Sequence, residues 1–551
     1  MTKEILFSLC LAYKCSFWRA FILLFYRLQL NGGVQTAVKH LSKINYFMAS
    51  KLFIFAIGGT GSRVVKALTM LLASGVELKN TSEVIPIIID PHKSNKDLQR
   101  TESLLKTYKK IRDSLTDKPK TNEFFGTEIK MLKNIINNND RIADNYTFEL
   151  KGVSNETFGN YIDFDNLSGS ADGFEMYEPN KDLASLLFSK KNLATEMNIG
   201  FVGNPNIGSV VLNQFKDSEE FKQFAANFAK NDRIFIISSI FGGTGAAGFP
   251  IILKNIRGAE AGDLDSPEYL KNAKIGALTV LPYFGLEPNA EKRVDKATFY
   301  SKAKAALHYY SRGVNKSVNK FYYIGDELNN NYKYDPGENG QKNDAHFVEL
   351  ASAMAIVDFA ATEDSELENE KGLPLQSVFK EFGIRSEANR LDFSHLGIET
   401  LQTICRDLTK MTLLNLYMDY RLDNAIGNMA WLKESPIIDK GFMSGSFFKT
   451  NLGDFKKAYF DWLNEMTRNT RGFQPFNLTG DLAQLIVGVE LKKSLNPFAS
   501  KTDFPALDEA LNKFCKGKIF GSVEEKFLKA IGSGSDTFLN EKFTNLFKNL
   551  N

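Results

Sequence analysis

The chain has 551 residues, 43% of them apolar and 24% charged, which gives room for roughly two to four folded domains and excludes a disordered chain. Its 68 Lys/Arg and 65 Asp/Glu leave a net charge of +3, spread too evenly to form a nucleic-acid-binding face. Four isolated cysteines and five scattered histidines have no metal-ligand spacing and no disulfide framework, so the expectation is buried, reduced thiols in a cytoplasmic protein with no protein-held metal cluster.

Residues 1–47 carry two apolar stretches, Ile5–Tyr13 and Phe21–Phe25, broken by Lys14 and Arg19, and fall short of a spanning helix. No small-residue cleavage site follows them, and Met48 stands just before the first strand. The segment is expected to be an upstream extension read through from a mis-set start. The alternative is a basic amphipathic segment, the only route by which a membrane would enter the account.

The apolar, β-branched run 51–57 reads as a buried strand that enters Gly58-Gly59-Thr60-Gly61 and then a helix over Val64–Leu72. A second strand, Val84–Asp90, ends in an acid. The polar stretch 97–199, with helical pieces at Leu98–Leu115 and Glu128–Ile136, reads as an insertion. Gly203-Asn204-Pro205-Asn206-Ile207-Gly208 opens a helix at Val210–Phe215. Strand 233–240 then enters Gly242-Gly243-Thr244-Gly245-Ala246, followed by strands at 274–282 and 321–324 and a long helix from about Asp344 to Ala361. Beyond 372 the pattern turns helical (398–421, 454–468, 505–515, 523–531 and 538–549), with Leu485–Leu491 alone alternating like a strand.

The glycine turns at 58–61 and 242–245 are two copies of one device. Glycine lets the backbone approach an oxyanion and take positive φ, and the helix that follows presents unpaired N–H groups and the positive end of its dipole. A side chain at Gly243 or Gly245 is therefore expected to fill the phosphate approach. No GxxxxGK[ST] loop occurs, which excludes a Walker A site. The first turn with Asp90 also imitates a dinucleotide-binding turn, although Gly59-Thr-Gly61-Ser-Arg-Val64 leaves the GxGxxG pattern incomplete.

Taken in order, these motifs resemble the tubulin and FtsZ superfamily of GTP-binding proteins over roughly 51–361, and are similar to its divergent prokaryotic tubulin-like members. Gly58–Gly61 matches the family's first glycine turn, Ile89-Asp90-Pro91 its second-strand acid loop, Gly203–Gly208 its GNPxxG turn, Phe241–Gly248 its GGGTGS/T-G signature, and Thr279–Phe284 with Glu287 its T-x-P-F…E strand end. The resemblance implies an α/β fold: a tubulin/FtsZ-like, Rossmann-type parallel sheet over 48–372 that binds GTP with Mg²⁺, interrupted by 97–199, and a mainly helical C-terminal domain over 373–551. Phosphate contacts are expected from Gly58, Gly59, Thr60, Gly61, Ser62 and Arg63, from Gly203, Asn204, Pro205 and Gly208, and from Gly242 to Ala246. Asp90, Glu287, Asn343 and Phe347 complete the expected nucleotide contacts.

Two departures bear on activity. Gly325 stands where FtsZ carries a base-reading asparagine, and Phe241 replaces the first signature glycine. In the family, hydrolysis is completed by an acidic loop donated to the next subunit's nucleotide. The corresponding acids here are Glu363 and Asp364, without the family wording N-x-D-F-x-D. Three functions stay open: a GTP-binding protein or GTPase assembling head to tail into filaments, a nucleotide sensor within a bacterial defence-type assembly, and a dinucleotide-dependent oxidoreductase.

Overall fold

The computed structural model describes residues 50–542 apart from 93–94, 137–140, 154, 168–178, 198–199, 202, 261–266, 287–295, 327–330, 333–342, 383–387 and 490–503. The expectations for 1–47, for Glu287 and for a helix at 543–549 lie outside the described residues.

Eight strands form one sheet: β1 (Lys51–Ile57), β2 (Glu83–Ile89), β3 (Glu128–Ile129), β4 (Thr147–Phe148), β5 (Arg233–Ser239), β6 (Lys274–Val280), β7 (Lys320–Ile324) and β8 (Val378–Phe382). Their order is β8-β7-β6-β5-β1-β2-β3, and β4 pairs with the carboxyl end of β2. Every pairing is parallel. A parallel sheet covered on both faces needs near-continuous apolar strands, and from Leu52 to Ile57 every side chain is at 0% exposure.

Helices α1 (Gly58–Ala73), α2 (Lys96–Asp113), α3 (Pro205–Leu212), α4 (Gly243–Arg257), α5 (Lys296–Ser311) and α6 (Phe347–Ala361) alternate with these strands. Beyond the sheet the chain is mainly helical, with α7 (Ile398–Tyr420), α8 (Gly453–Arg468), α9 (Phe504–Cys515) and α10 (Val523–Lys542). The expected α/β architecture with a helical C-terminal region is what the chain adopts. No helix among the described residues is long and apolar enough to cross a membrane.

Several elements differ from the periodicity reading. Glu128–Ile136 is a two-residue strand and a 3₁₀ turn, because Glu128 and Ile129 find partners on the free edge of β2. Of the expected strand Leu485–Leu491, the described residues 485–489 make one isolated bridge, Phe476 to Ile486. The strand Val378–Phe382 lies beyond the expected boundary at 372 and completes the sheet beside β7. Residues 96–113, at the head of the expected insertion, form α2, which packs directly on α1.

Helix α4 contains Pro250, which has no N–H to give the carbonyl one turn earlier. The Tyr310 hydroxyl of α5 donates to that carbonyl, Ala246 O, at 3.2 Å, so the acceptor is satisfied and α5 is fixed over the second glycine turn. Cys405 and Cys515 are buried free thiols; burial pushes the Cys515 pKa up to about 11 and that of Cys405 to about 12, which keeps both protonated and unreactive.

Candidate functional site

The chain runs from β1 outward to β2 and its neighbours, then returns to place β5 on the other side of β1. In an open parallel sheet this reversal leaves a crevice at the carboxyl ends of the two strands. The glycine turns at 58–61 and 242–245 follow β1 and β5, so both open onto it, and a cleft of about 190 Å³ lies between them.

Three helices begin here without a side-chain cap: α1 after Ile57, α4 after Gly242, and α3 after Asn204. The neighbouring helices are capped by their own residues. Asn95 Oδ1 accepts from the backbone N–H of Asp97 at 2.9 Å at the start of α2, and His346 Nδ1 accepts from Val348 N–H at 3.1 Å at the start of α6. Leading N–H groups that no side chain caps are the chemistry of an anion site.

The glycines allow these ends to converge. Gly58 sits at φ +73°, and a β-carbon there would lie 3.4 Å from Thr244 Cβ, so the two turns are in contact. A β-carbon on Gly243 would stand 3.0 Å from the backbone nitrogens of Gly203 and Asn204; one on Gly245 would stand 2.7 Å from Ser239 N and O. This corrects the expected reason for those glycines. A side chain at either position strikes the protein's own backbone before it reaches the phosphate approach.

Charge in the cleft is mixed. Arg63 Nε lies 2.8 Å from Glu349 Oε1 and its Nη1 3.7 Å from Asp97 Oδ2, while its guanidinium also donates to the Tyr283 hydroxyl. Arg63 therefore ties α1 to α2 and α6 while it lines the cleft. Asp97 also accepts from Asn343, from the backbone N–H at 3.2 Å and from Nδ2 at 2.9 Å. Burial raises the Asp90 carboxyl to about 7, against the opposing hydrogen bond it accepts from His92 N–H at 3.0 Å. Burial, with Arg63 and Arg471 adding to it, holds His346 at about 3, so it caps α6 as a neutral ring.

Of the expected contacts, Gly58, Gly59, Thr60, Arg63, Asp90, Gly242 to Gly245 and Asn343 all line the cleft. Gly61 lies behind it, where its missing β-carbon would be 2.6 Å from the Ala56 carbonyl carbon, and Ser62 donates to Gly59 O at 2.9 Å. Gly203 and Gly208 pack under the second turn, with Asn204 and Pro205 opening α3 beside them. Ala246 is buried and gives its carbonyl to Tyr310. Phe347 does not line the cleft; it packs against Phe473 at a tilt of 45°, with the ring centroids 4.9 Å apart.

Glu363 and Asp364 stand at the opposite end of the sheet. Asp364 is 2.8 Å from Arg233 and 3.1 Å from Lys274, the first residues of β5 and β6, whereas both glycine turns follow the strands' last residues. These two cations outweigh the effect of burial and hold its carboxyl below the ordinary range. Asp358 lies inside α6 and pairs with Lys320 and Lys380.

His92, Asn95, Asp97, Phe201, Ser239 and Phe284 also line the cleft. Phe284 closes the strand-end motif Thr279–Phe284 but was not among the expected contacts. The signal for Asn95 and Asp97 is an Asx cap with an acid in the first turn just after the acid loop, legible only once Lys96–Asp113 is recognised as part of the frame.

No family model and no curated protein matches the chain. Among solved structures it is similar to a single-site mutant of FtsZ from M. jannaschii, with 14% identity over 53% of this chain and 51% of that one, at a TM-score of 0.25. It is likewise similar to CetZ2 from Haloferax volcanii, solved as a GTPγS-bound protofilament, with 13% identity over 57% of this chain and 60% of that one, at a TM-score of 0.26. The chain thus spans about half to three fifths of the length of the structures it matches.

Proposed function

We propose that the chain binds a nucleoside triphosphate, GTP first among the candidates, in the crevice between β1 and β5. The observation that carries this is the convergence of three helix N-termini, α1, α3 and α4, with no side-chain cap, beside two that are capped. A polyphosphate supplies the anionic partner such ends call for, and two glycine turns in mutual contact suit several phosphates better than one. Mg²⁺ would be held largely by the phosphates, with Asp90 and Asp97 the carboxylates at hand; it would offset phosphate charge. Phe284, which lines the cleft while packing edge-to-face on Phe241 and Tyr283, is better placed to meet a base than Phe347, which packs against Phe473 and does not line the cleft.

A β-carbon at Gly325 would come within 2.9 Å of Leu281 Cβ, so this position holds glycine for packing and supports no base-reading side chain. Preference between guanine and adenine then falls to other groups in the cleft.

Self-association head to tail is the reading for assembly: the acidic segment and the cleft occupy opposite ends of one sheet, so a second copy can bring the first to the second. A nucleotide sensor that does not hydrolyse is the second reading, favoured by the engagement of Asp364 with its own chain's cations. Calorimetric titration of the full chain with GTP, ATP and NAD(P)⁺ tests the site. Saturable binding of a triphosphate supports it, and binding of NAD(P)⁺ alone would replace it with the oxidoreductase.

A further inference from the structure

We propose that the side-chain amide of Asn95 is a phosphate ligand, which places phosphate at the first glycine turn; the inference rests on reading the cleft as a nucleotide site. Asn95 lines the cleft and is 3% exposed. Its Oδ1 faces two backbone donors at the start of α2, Asp97 N–H at 2.9 Å and Leu98 N–H at 3.4 Å. Two N–H groups converging on one atom of the amide require that atom to be the oxygen, so the cap fixes which end of the side chain is left over. That end is Nδ2. It stands 3.5 Å from the β-carbon position of Gly59, against the first turn, and it donates to no acceptor among the described residues.

A buried N–H with no acceptor is a cost that an arriving acceptor removes. The carboxylates of the cleft are turned to other partners: Asp97 accepts from Asn343 and lies beside Arg63 and Arg100, and Asp90 accepts from His92 N–H. Gly59 and Thr60, which line the same cleft, begin α1, whose leading N–H groups no side chain caps. Donors of α1 and of Asn95 thus border one space. A group that only accepts, and carries negative charge, satisfies both sets; a metal ion is repelled there, and a base edge brings donors of its own. Asn95 uses one end of its amide to start α2 and offers the other to the ligand.

The test is calorimetry, without Mg²⁺, of GTP and inorganic tripolyphosphate against wild type, Asn95→Ser and Asn95→Asp, with thermal melts as a control on folding. Serine and aspartate cap a helix about as well as asparagine, so α2 keeps its start and both variants should melt within about 3 °C of wild type. Asn95→Ser loses a donor to a charged acceptor and should bind GTP roughly tenfold more weakly. Asn95→Asp puts a carboxylate oxygen in place of Nδ2 and should weaken GTP further, with tripolyphosphate falling by the same factors. Wild-type GTP affinity in either folded variant would mean that Asn95 only caps α2, and would overturn the proposal. So would equal weakening by the two substitutions, which means an uncharged acceptor, or loss of GTP with tripolyphosphate unchanged, which moves the contact to the nucleoside. If one variant does not fold, the other decides. Wild type that binds neither ligand removes the nucleotide reading itself, a different failure from a site that binds both indifferently to Asn95.

Discussion

Gly58 and Thr244, 186 positions apart in sequence, face each other across the crevice with the space of a single β-carbon between them: an atom built on Gly58 would lie 3.4 Å from Thr244 Cβ. The end of β1 and the end of β5 thus make one surface, so glycine substitutions around it should divide by what a new side chain meets.

Among the described residues a β-carbon at Gly59 meets only Asn95 Nδ2, at an ordinary 3.5 Å, whereas at Gly245 it meets Ser239 backbone at 2.7 Å. Gly59→Ala should fold with its melting temperature within about 2 °C of wild type, yet bind GTP at least roughly tenfold more weakly because it narrows the phosphate approach. Gly245→Val should lose about 2 kcal/mol or more of stability whatever the ligand. Thermal melts paired with calorimetry check both. Wild-type affinity in Gly59→Ala would move the phosphates away from the first turn.

Asp90 makes binding depend on pH. Its carboxyl, raised to about 7, is mostly neutral below that value and anionic above it. A polyphosphate beside it favours the neutral form, so affinity for GTP measured without Mg²⁺ should be greatest below about pH 7 and fall above it, by up to about tenfold per unit for one linked proton. For folding the sign is the same: the folded value lies above the ordinary 3.8, so stability present below about pH 4 is lost as pH rises towards 7. Asp90→Asn should flatten the affinity profile between about pH 6 and 8 and melt higher than wild type at about pH 8.

Glu465 links the C-terminal helices to the frame of the cleft. From α8 it accepts from Lys66 Nζ of α1 at 3.3 Å and from Ala345 N–H at 3.1 Å, and it also pairs with Arg100 of α2, itself in reach of Asp97 at 3.6 Å. Glu465→Ala leaves Lys66, 6% exposed, without this counter-ion, which should cost about 3 kcal/mol in a denaturant titration. Because Asp97 and Asn343 share the network, GTP affinity should also drop. A stability loss below about 0.5 kcal/mol would show that the cluster is solvated in solution.

The parts of this architecture written locally were legible in the sequence. Buried parallel strands leave continuous β-branched runs, and glycine turns leave glycines, so β1, β2, β5 to β7 and both turns follow from the chain itself. What was not legible depends on partners distant in sequence. Val378–Phe382, Val-Phe-Lys-Glu-Phe, has no strand-like alternation and becomes a strand because β7 offers it an edge, and Glu465 is one acid in an amphipathic helix until Lys66 and Arg100 meet it. Phe347 had the position of a base-stacking ring, and it packs instead against Phe473, far along the chain.

The two acids after α6 separate a structural role from a chemical one. Asp364 neutralises Arg233 and Lys274, each 3% exposed, from a position that is itself half-exposed, so Asp364→Ala should destabilise by about 1–2 kcal/mol, less than a fully buried pair would. Glu363 is exposed, and Glu363→Gln should leave stability unchanged within about 0.5 kcal/mol. If hydrolysis is completed between copies, it falls to Glu363, because the Asp364 carboxylate is held by its own chain. Phosphate release per molecule should then rise with protein concentration in wild type and be lost in Glu363→Gln, with filaments visible by electron microscopy in the presence of GTP. Turnover that stays constant on dilution would rule out the shared site. Discrete particles under every nucleotide condition, with GTP bound but intact, would leave the sensor as the function of this fold.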